Sequence, residues 1–207
     1  VLLPRSGALA FIGQSCQRGA DIAPALLREM YGVDVELMNA DIESNVDVAR
    51  SRAEKLVNEG AQVLMGAFDS GPTVAIAQVA EQRKVPLVVN IAAAPQLTEQ
   101  GYKYTFRNFT SAAELIRNGL ALTRDVFQAT KAAPRSAVFL HVNDTFGVSM
   151  AKGIAAILPT LTYLPFKIVE TIAYDRDARD LSVEVTKAKA TNADFILLVS
   201  RLNDAVL

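Results

Sequence analysis

Short β-branched runs alternate with stretches of helical periodicity along nearly the whole chain, and this alternation leaves few folds open. The strand-like runs are 33–39 (VDVELMN), 62–66 (QVLMG), 85–90 (VPLVVN), 136–142 (SAVFLHV), 166–173 (FKIVETIA) and 194–200 (DFILLVS). Between them the spacing predicts helices near 14–30, 46–59, 72–83, 111–130, 147–158 and 181–191. In the second of these, Val46, Ala49, Ala53, Leu56 and Val57 share one face, Arg50, Arg52, Glu54 and Lys55 take the other, and Gly60 ends the pattern. Strands alternating with helices of this length imply right-handed βαβ units, and hence mainly parallel sheets covered by helices on both faces. The fold class is α/β.

The series restarts near "YTFRNFTSAAELIRNGL", where the apolar segment Tyr104 to Phe106 gives way to polar residues and Ser111 offers an N-cap to a new helix. This predicts an N-terminal lobe over 1–110 and a second lobe over 111–207, joined by a short, hinge-like connection without low-complexity sequence. A chain of 207 residues can bury a substantial core. Its 21 basic and 22 acidic residues show no basic cluster, which argues against a nucleic-acid surface. No apolar stretch approaches the roughly 20 residues of a membrane helix, so the chain reads as soluble. One cysteine, Cys16, and one histidine, His141, exclude an internal disulfide and the usual structural zinc site. The opening "VLLPRSG" and the closing "DFILLVSRLNDAVL" read as cuts through βα units, the ends expected of a piece of a longer protein.

Ligands of parallel sheets settle beyond the carboxyl ends of the strands, which directs attention to loops 4–13, 66–73, 90–96, 142–147 and 200–204. The segment "GAFDSGPTVAIAQ" turns from strand to helix on Ser70, Gly71, Pro72 and Thr73. Pro72 at the first helical position would leave the Thr73 and Val74 N–H groups unpaired, beside the Ser70 and Thr73 hydroxyls and the positive end of the helix dipole. An anionic group there gains about 0.3–1 kcal/mol, up to about 2 if partly buried, and a carboxylate fits. The plainer alternative is that Ser70 only caps its own helix.

Nothing resembles catalytic machinery. Ser70 lies in "FDSGP" rather than in a G-x-S-x-G elbow, and neither a G-x-G-x-x-G turn nor a P-loop lysine is present, so no catalytic residue, metal or cofactor is assigned. His141 closes a strand, where its imidazole either meets a ligand or simply packs.

The segments "PRSGALAFIG", "GAFDSGPTVAIAQVAEQRKVPLVVNIAAAPQLTEQGYKYTFRN", "HVNDTFGVSMAKGI" and "RDLSVEVTKAKATNADFILLVS" resemble, in order and spacing, the type I periplasmic solute-binding proteins of ABC transporters, and most closely the leucine/isoleucine/valine (hydrophobic amino acid) subfamily. The resemblance covers essentially the whole chain. It implies two α/β lobes joined by a hinge of three crossing segments, a small carboxylate held in the interlobe cleft, a monomer, a periplasmic location and a membrane permease as partner. The segment that returns to the first lobe would lie outside this chain. Position by position, the ligand-carboxylate site falls on Ser70 and the loop Ala92, Ala93, Ala94, with Phe11 or Ile12 of "LAFIG" lining the pocket. In the second lobe Phe146 stands where the family commonly has a tyrosine facing the ligand, and Arg201 and Leu202 lie near a cleft-closing aromatic position. Two departures matter: "IAAAP" has alanine where amino-acid binders often carry Thr or Ser, and Arg201 replaces a neutral aromatic residue. A guanidinium facing the cleft would suit an acid by a bidentate pair, whereas on the surface it would only be solvated. The ligand implied is an aromatic acid or a branched-chain amino acid; the acid that would pair with an ammonium would lie beyond residue 207. A cytoplasmic sensor of the same fold is the alternative, and an α/β hydrolase a more distant one.

Overall fold

In the computed structural model, which describes residues 1–207, the chain divides into two compact units, Val1–Thr110 and Ser111–Leu207. The first contains β1 (Leu2–Leu3), α1 (Ala10–Tyr31), β2 (Ala40–Asp41), α2 (Val46–Asn58), β3 (Leu64–Met65), α3 (Ser70–Arg83), β4 (Leu87–Val89) and β5 (Thr105–Arg107). The second contains α4 (Ala112–Thr130), β6 (Ser136–Val142), α5 (Thr145–Ile157), β7 (Lys167–Tyr174), α6 (Ser182–Ala190) and β8 (Phe195–Val199). Every strand pair is parallel.

In the first unit β1 pairs with β2 in the register Leu2 to Ala40, and β3, β4 and β5 form a second ladder with Leu64 opposite Leu87 and Leu87 opposite Thr105. A parallel bridge between Leu2 and Gly66 joins the two ladders, which gives the order β2-β1-β3-β4-β5. Gly66 is required at that join. Its φ is 145°, and a Cβ there would stand 2.2 Å from the Leu2 carbonyl oxygen. The order reverses between β1 and β3, and such a switch point opens a crevice at the strands' carboxyl ends.

The core of this unit gathers Leu2, Ile42, Leu64, Leu87 and Val89 of the strands and their loops with Ala49, Ala53 and Leu56 of α2 and Ile76, Val79 and Ala80 of α3. Helix α2 starts where the Asn45 side chain accepts the Asp47 and Val48 N–H groups, and it turns its Ala49, Ala53 and Leu56 stripe inward. Helix α3 is buried on several sides, from Ser70 and Pro72 to Val79 and Ala80, which explains its lack of a polar face.

In the second unit the order is β7-β6-β8. Central β6 is buried over nearly its whole length, so "SAVFLHV" reads as a continuous apolar run. Val138, Leu140 and Val142 pack with Ile172, Tyr174, Leu181 and Ala188 on one face. Phe127 of α4 meets Phe166 and Phe195 edge to face, with ring centroids 6.1 and 5.3 Å away. Ser111 and Glu114 close a full capping box at the start of α4.

Three expectations need correction. The stretch 33–39 forms no strand, and β2 occupies only Ala40–Asp41. Helix α1 begins at Ala10, so most of "LAFIG" is helical rather than loop. Helix α3 begins at Ser70, which puts Pro72 at its third position, not its first.

Candidate functional site

The carboxyl ends of β1, β3 and β4 lie side by side in the first unit, and each carries a buried polar side-chain atom without a hydrogen-bond partner: Arg5 Nε, Ser70 Oγ and Asn90 Oδ1. Protein interiors seldom leave such groups unpaired, because each costs about 1–3 kcal/mol. Ser70 is the sharpest case. It is only 1% exposed and is the first residue of α3, so it does not cap the helix: Asp69 holds the N-cap position. The first backbone bond of the helix runs from the Thr73 N–H to the Asp69 carbonyl at 3.1 Å, which leaves the Ser70 and Gly71 N–H groups ahead of it. Pro72 has no N–H to satisfy. An anion at this point would meet two amides, one hydroxyl and the positive end of the helix dipole.

Thr73 leaves the set of ligand donors. Its side chain is fully buried, and its hydroxyl donates to the Asp69 carbonyl at 2.6 Å, so both its donors are spent on one oxygen. The loop after β4 is also partly committed. Ala92 donates its N–H to the Ala67 carbonyl at 3.3 Å, whereas the Ala93 and Ala94 amides that follow donate to no backbone carbonyl. The three alanine side chains are buried, at 2%, 3% and 0% exposure, and set how closely the loop packs. On its other flank Arg107, the last residue of β5, donates from Nη1 to the carbonyls of Ala93 and Ala94 at 3.1 and 3.0 Å. Sequence reasoning missed both Arg107 and Asn90, because an isolated polar residue at a strand end carries no local pattern.

The loop after β1 is held from β2. Asp41 Oδ1 accepts the N–H groups of Arg5, Ser6 and Glu43 at 2.9, 3.2 and 2.9 Å. Burial alone would raise this carboxyl, but the hydrogen bonds outweigh it and hold Asp41 below the ordinary aspartate range. Phe11 follows in the first turn of α1 with 72% of its surface exposed, and Ile12 beside it is half-buried.

In the second unit a charged cluster occupies the carboxyl ends of β6, β7 and β8. Asp144 caps α5 by accepting the Gly147 N–H at 2.9 Å, and its other oxygen pairs with Arg201 Nη1 at 2.6 Å. The Arg201 guanidinium also lies over the half-buried Phe146 ring, 5.5 Å from its centroid. Only 12% of the Arg201 side chain is exposed, so it is not a solvated surface arginine, and its charge is already countered by Asp144. The expectation that Arg201 offers a free cation to an acid is thereby corrected. Sequence reasoning missed Asp144: its partner sits 57 residues away along the chain, and no spacing rule links them. Asp204 accepts the Arg201 N–H at 2.9 Å and the Tyr174 hydroxyl; burial, followed by this bond, pushes the Tyr174 phenol well above its ordinary range. His141 proves internal: it is 5% exposed, stacks on Phe139 at 5.2 Å, and sets Nδ1 2.9 Å from the Val142 carbonyl. It is a packing residue of β6 rather than a ligand contact.

No group of three or more His, Cys, Asp or Glu residues is placed to hold a metal ion. Uncommitted amides and a hydroxyl at a helix start can hold an anion. The sequence profile of the periplasmic binding proteins matches residues 1–207. The chain belongs to the periplasmic binding protein family. Among curated relatives, a Leu/Ile/Val-binding protein homolog 7 of Brucella abortus is 28% identical over 218 residues, covering 100% of this chain and 52% of the relative. The chain thus spans about half the length of the curated relatives it matches. Among solved structures, a solute binding protein of an ABC transporter from R. palustris, in complex with benzoate, superimposes with a TM-score of 0.77 at 23% identity, over 96% of this chain and 54% of that one. A branched-chain amino acid transporter substrate binding protein from Streptococcus pneumoniae, in complex with isoleucine, gives 0.79 at 23% identity over 99% and 57%. At these identities the superpositions establish the fold, an α/β type I periplasmic binding architecture.

Proposed function

We propose that this chain is the ligand-holding part of an extracytoplasmic solute receptor for an ABC importer, and that its ligand is a small carboxylate with an apolar body. The observation that carries this reading is Ser70 Oγ, buried and unpartnered at the first position of α3. A carboxylate bound there accepts from the Ser70 hydroxyl and from the amides of Ser70 and Gly71, with Ala93 and Ala94 supplying further N–H groups. Phe146, and Phe11 from the start of α1, offer the ligand's body aromatic surface, and ring contacts of this kind add about 0.5–1.5 kcal/mol each beyond burial. Because Asp144 already pairs with Arg201, that guanidinium does not bias the choice between an aromatic acid and a zwitterionic amino acid. Relatives of the fold whose complexes contain benzoate and isoleucine both fit that class. Binding and release are the output we assign, with the membrane permease reading the liganded form of a monomeric, periplasmic receptor.

Calorimetry on the complete receptor tests the ligand class with leucine, isoleucine, benzoate and phenylacetate against leucinamide and benzamide. At least one acid is expected to bind, and its amide to bind far more weakly, because the site is built from donors. Equal affinity for acid and amide, or heat from none of the acids, would overturn the reading.

A further inference from the structure

We propose that Arg107 is a positioning residue for the anionic ligand, an inference that rests on the carboxylate reading of the Ser70 site. The loop after β4 lies between the end of β3 and the end of β5. The β3 side holds it by one bond, from Ala92 N–H to the Ala67 carbonyl. The β5 side holds it by Arg107, whose Nη1 reaches two successive carbonyls, Ala93 at 3.1 Å and Ala94 at 3.0 Å.

The consequence follows from the geometry of the peptide group. In a trans peptide the C=O and the following N–H point in opposite directions, so turning the Ala93 carbonyl toward Arg107 turns the Ala94 N–H away from β5. The Ala94 carbonyl is followed by Pro95, which has no N–H, so that peptide could offer a ligand only its oxygen. Arg107 therefore does two things at once: it aims one amide donor, and it withdraws the Ala93 carbonyl dipole, which would otherwise repel an anion, while the Ala94 carbonyl is held jointly by Arg107 and by the Leu97 N–H at 3.2 Å. The bonds are charge-assisted and made by a half-buried group, so they persist when the site is empty. Arg107 is also three residues from Thr110, where the first unit ends, and the β4–β5 ladder continues beyond it through Asn108 N–H to the Val89 carbonyl at 2.9 Å. The ligand loop is thus fastened to the strand that leaves the unit.

The test compares wild type, Ser70→Ala, Arg107→Lys and Arg107→Met in the complete receptor. Affinity is measured by calorimetry with leucine and benzoate, and amide hydrogen exchange is followed over the ligand-free protein. We expect Arg107→Met to weaken the acid that binds by about tenfold or more and to speed exchange within 91–97 alone. Arg107→Lys, which keeps the charge but not the planar fork, should fall between it and wild type. Unchanged affinity in Arg107→Met, or a loss accompanied by faster exchange throughout the first unit, overturns the proposal. If Arg107→Met does not fold, Arg107→Gln is read by the same two criteria. When wild type binds an acid and Ser70→Ala weakens it, a neutral result at Arg107 sinks this inference alone. When no acid binds wild type, it is the carboxylate reading that fails.

Discussion

Ser70 and Thr73 sit three positions apart on the same first turn, carry the same functional group, and have opposite fates. Thr73 spends its hydroxyl on the Asp69 carbonyl, whereas the Ser70 hydroxyl is buried without a partner. A buried, unpaired hydroxyl destabilises the empty protein and has binding energy to release when an acceptor arrives, which gives Ser70→Ala effects of opposite sign. The ligand-free variant should gain stability, up to about 1–3 kcal/mol, while affinity for the acid falls by about 1.5–3 kcal/mol. Thermal melting without ligand and calorimetry with it check the two signs separately, and a variant that is both less stable and equally tight would remove Ser70 from the site. Thr73→Ser, by contrast, retains the internal bond and should leave affinity unchanged. Gly66 answers a different demand, since only a residue without Cβ can approach Leu2 at that φ.

At the scale of elements, the sequence was legible wherever burial was one-sided or complete. Central β6 was predicted over 136–142 and occupies Ser136–Val142, because both its faces are covered and its run is continuously apolar. The stretch 33–39 misled for a physical reason: Val33, Val35 and Leu37 alternate with acids as a half-buried strand would, but a ladder needs a partner, and the register Leu2 to Ala40 aligns β1 only with the residues that follow. The carboxyl-end loops of the candidate site were predicted from topology, and Ser70 was predicted within them from its place near a helix start, which α3 puts at its first residue. The contacts that decide donor availability, Arg107 to Ala93 and Asp144 to Arg201, were not, because they join residues that only the fold brings together. Asp41 shows how one loop depends on such a contact. Its carboxyl is held below its ordinary range by three loop amides, so its contribution to stability is complete above the unfolded pKa of about 4 and is lost as pH falls through the lower folded value. Urea midpoints of wild type and Asp41→Asn should therefore differ by a constant amount from pH 5 to 7 and converge below pH 4. A gap that widens on acidification would contradict that role.

At the scale of the whole molecule, the receptor we propose would signal by a change of arrangement on binding its ligand. A ligand shifts an equilibrium between open and closed arrangements only by the difference in its affinity for them, and moving it from 1:99 to 99:1 takes about 5.5 kcal/mol. Donors that meet the ligand equally in both arrangements shift nothing, so closure of the proposed receptor would require a contact made in one arrangement and not in the other. For the receptor we propose, Phe146 is the residue assigned to that task; its half-buried ring lies under the Arg201 guanidinium, which is paired with Asp144. Small-angle scattering of the complete receptor should show the radius of gyration falling when the acid binds. Phe146→Ala should weaken binding and reduce that contraction together, because both draw on the same differential contact. Ser70→Ala should weaken binding yet leave the contraction intact once the acid is raised to saturation. A Phe146→Ala receptor that binds as tightly as wild type, or a radius of gyration that ligand does not change, would show that the first unit binds alone and that closure is not the signal.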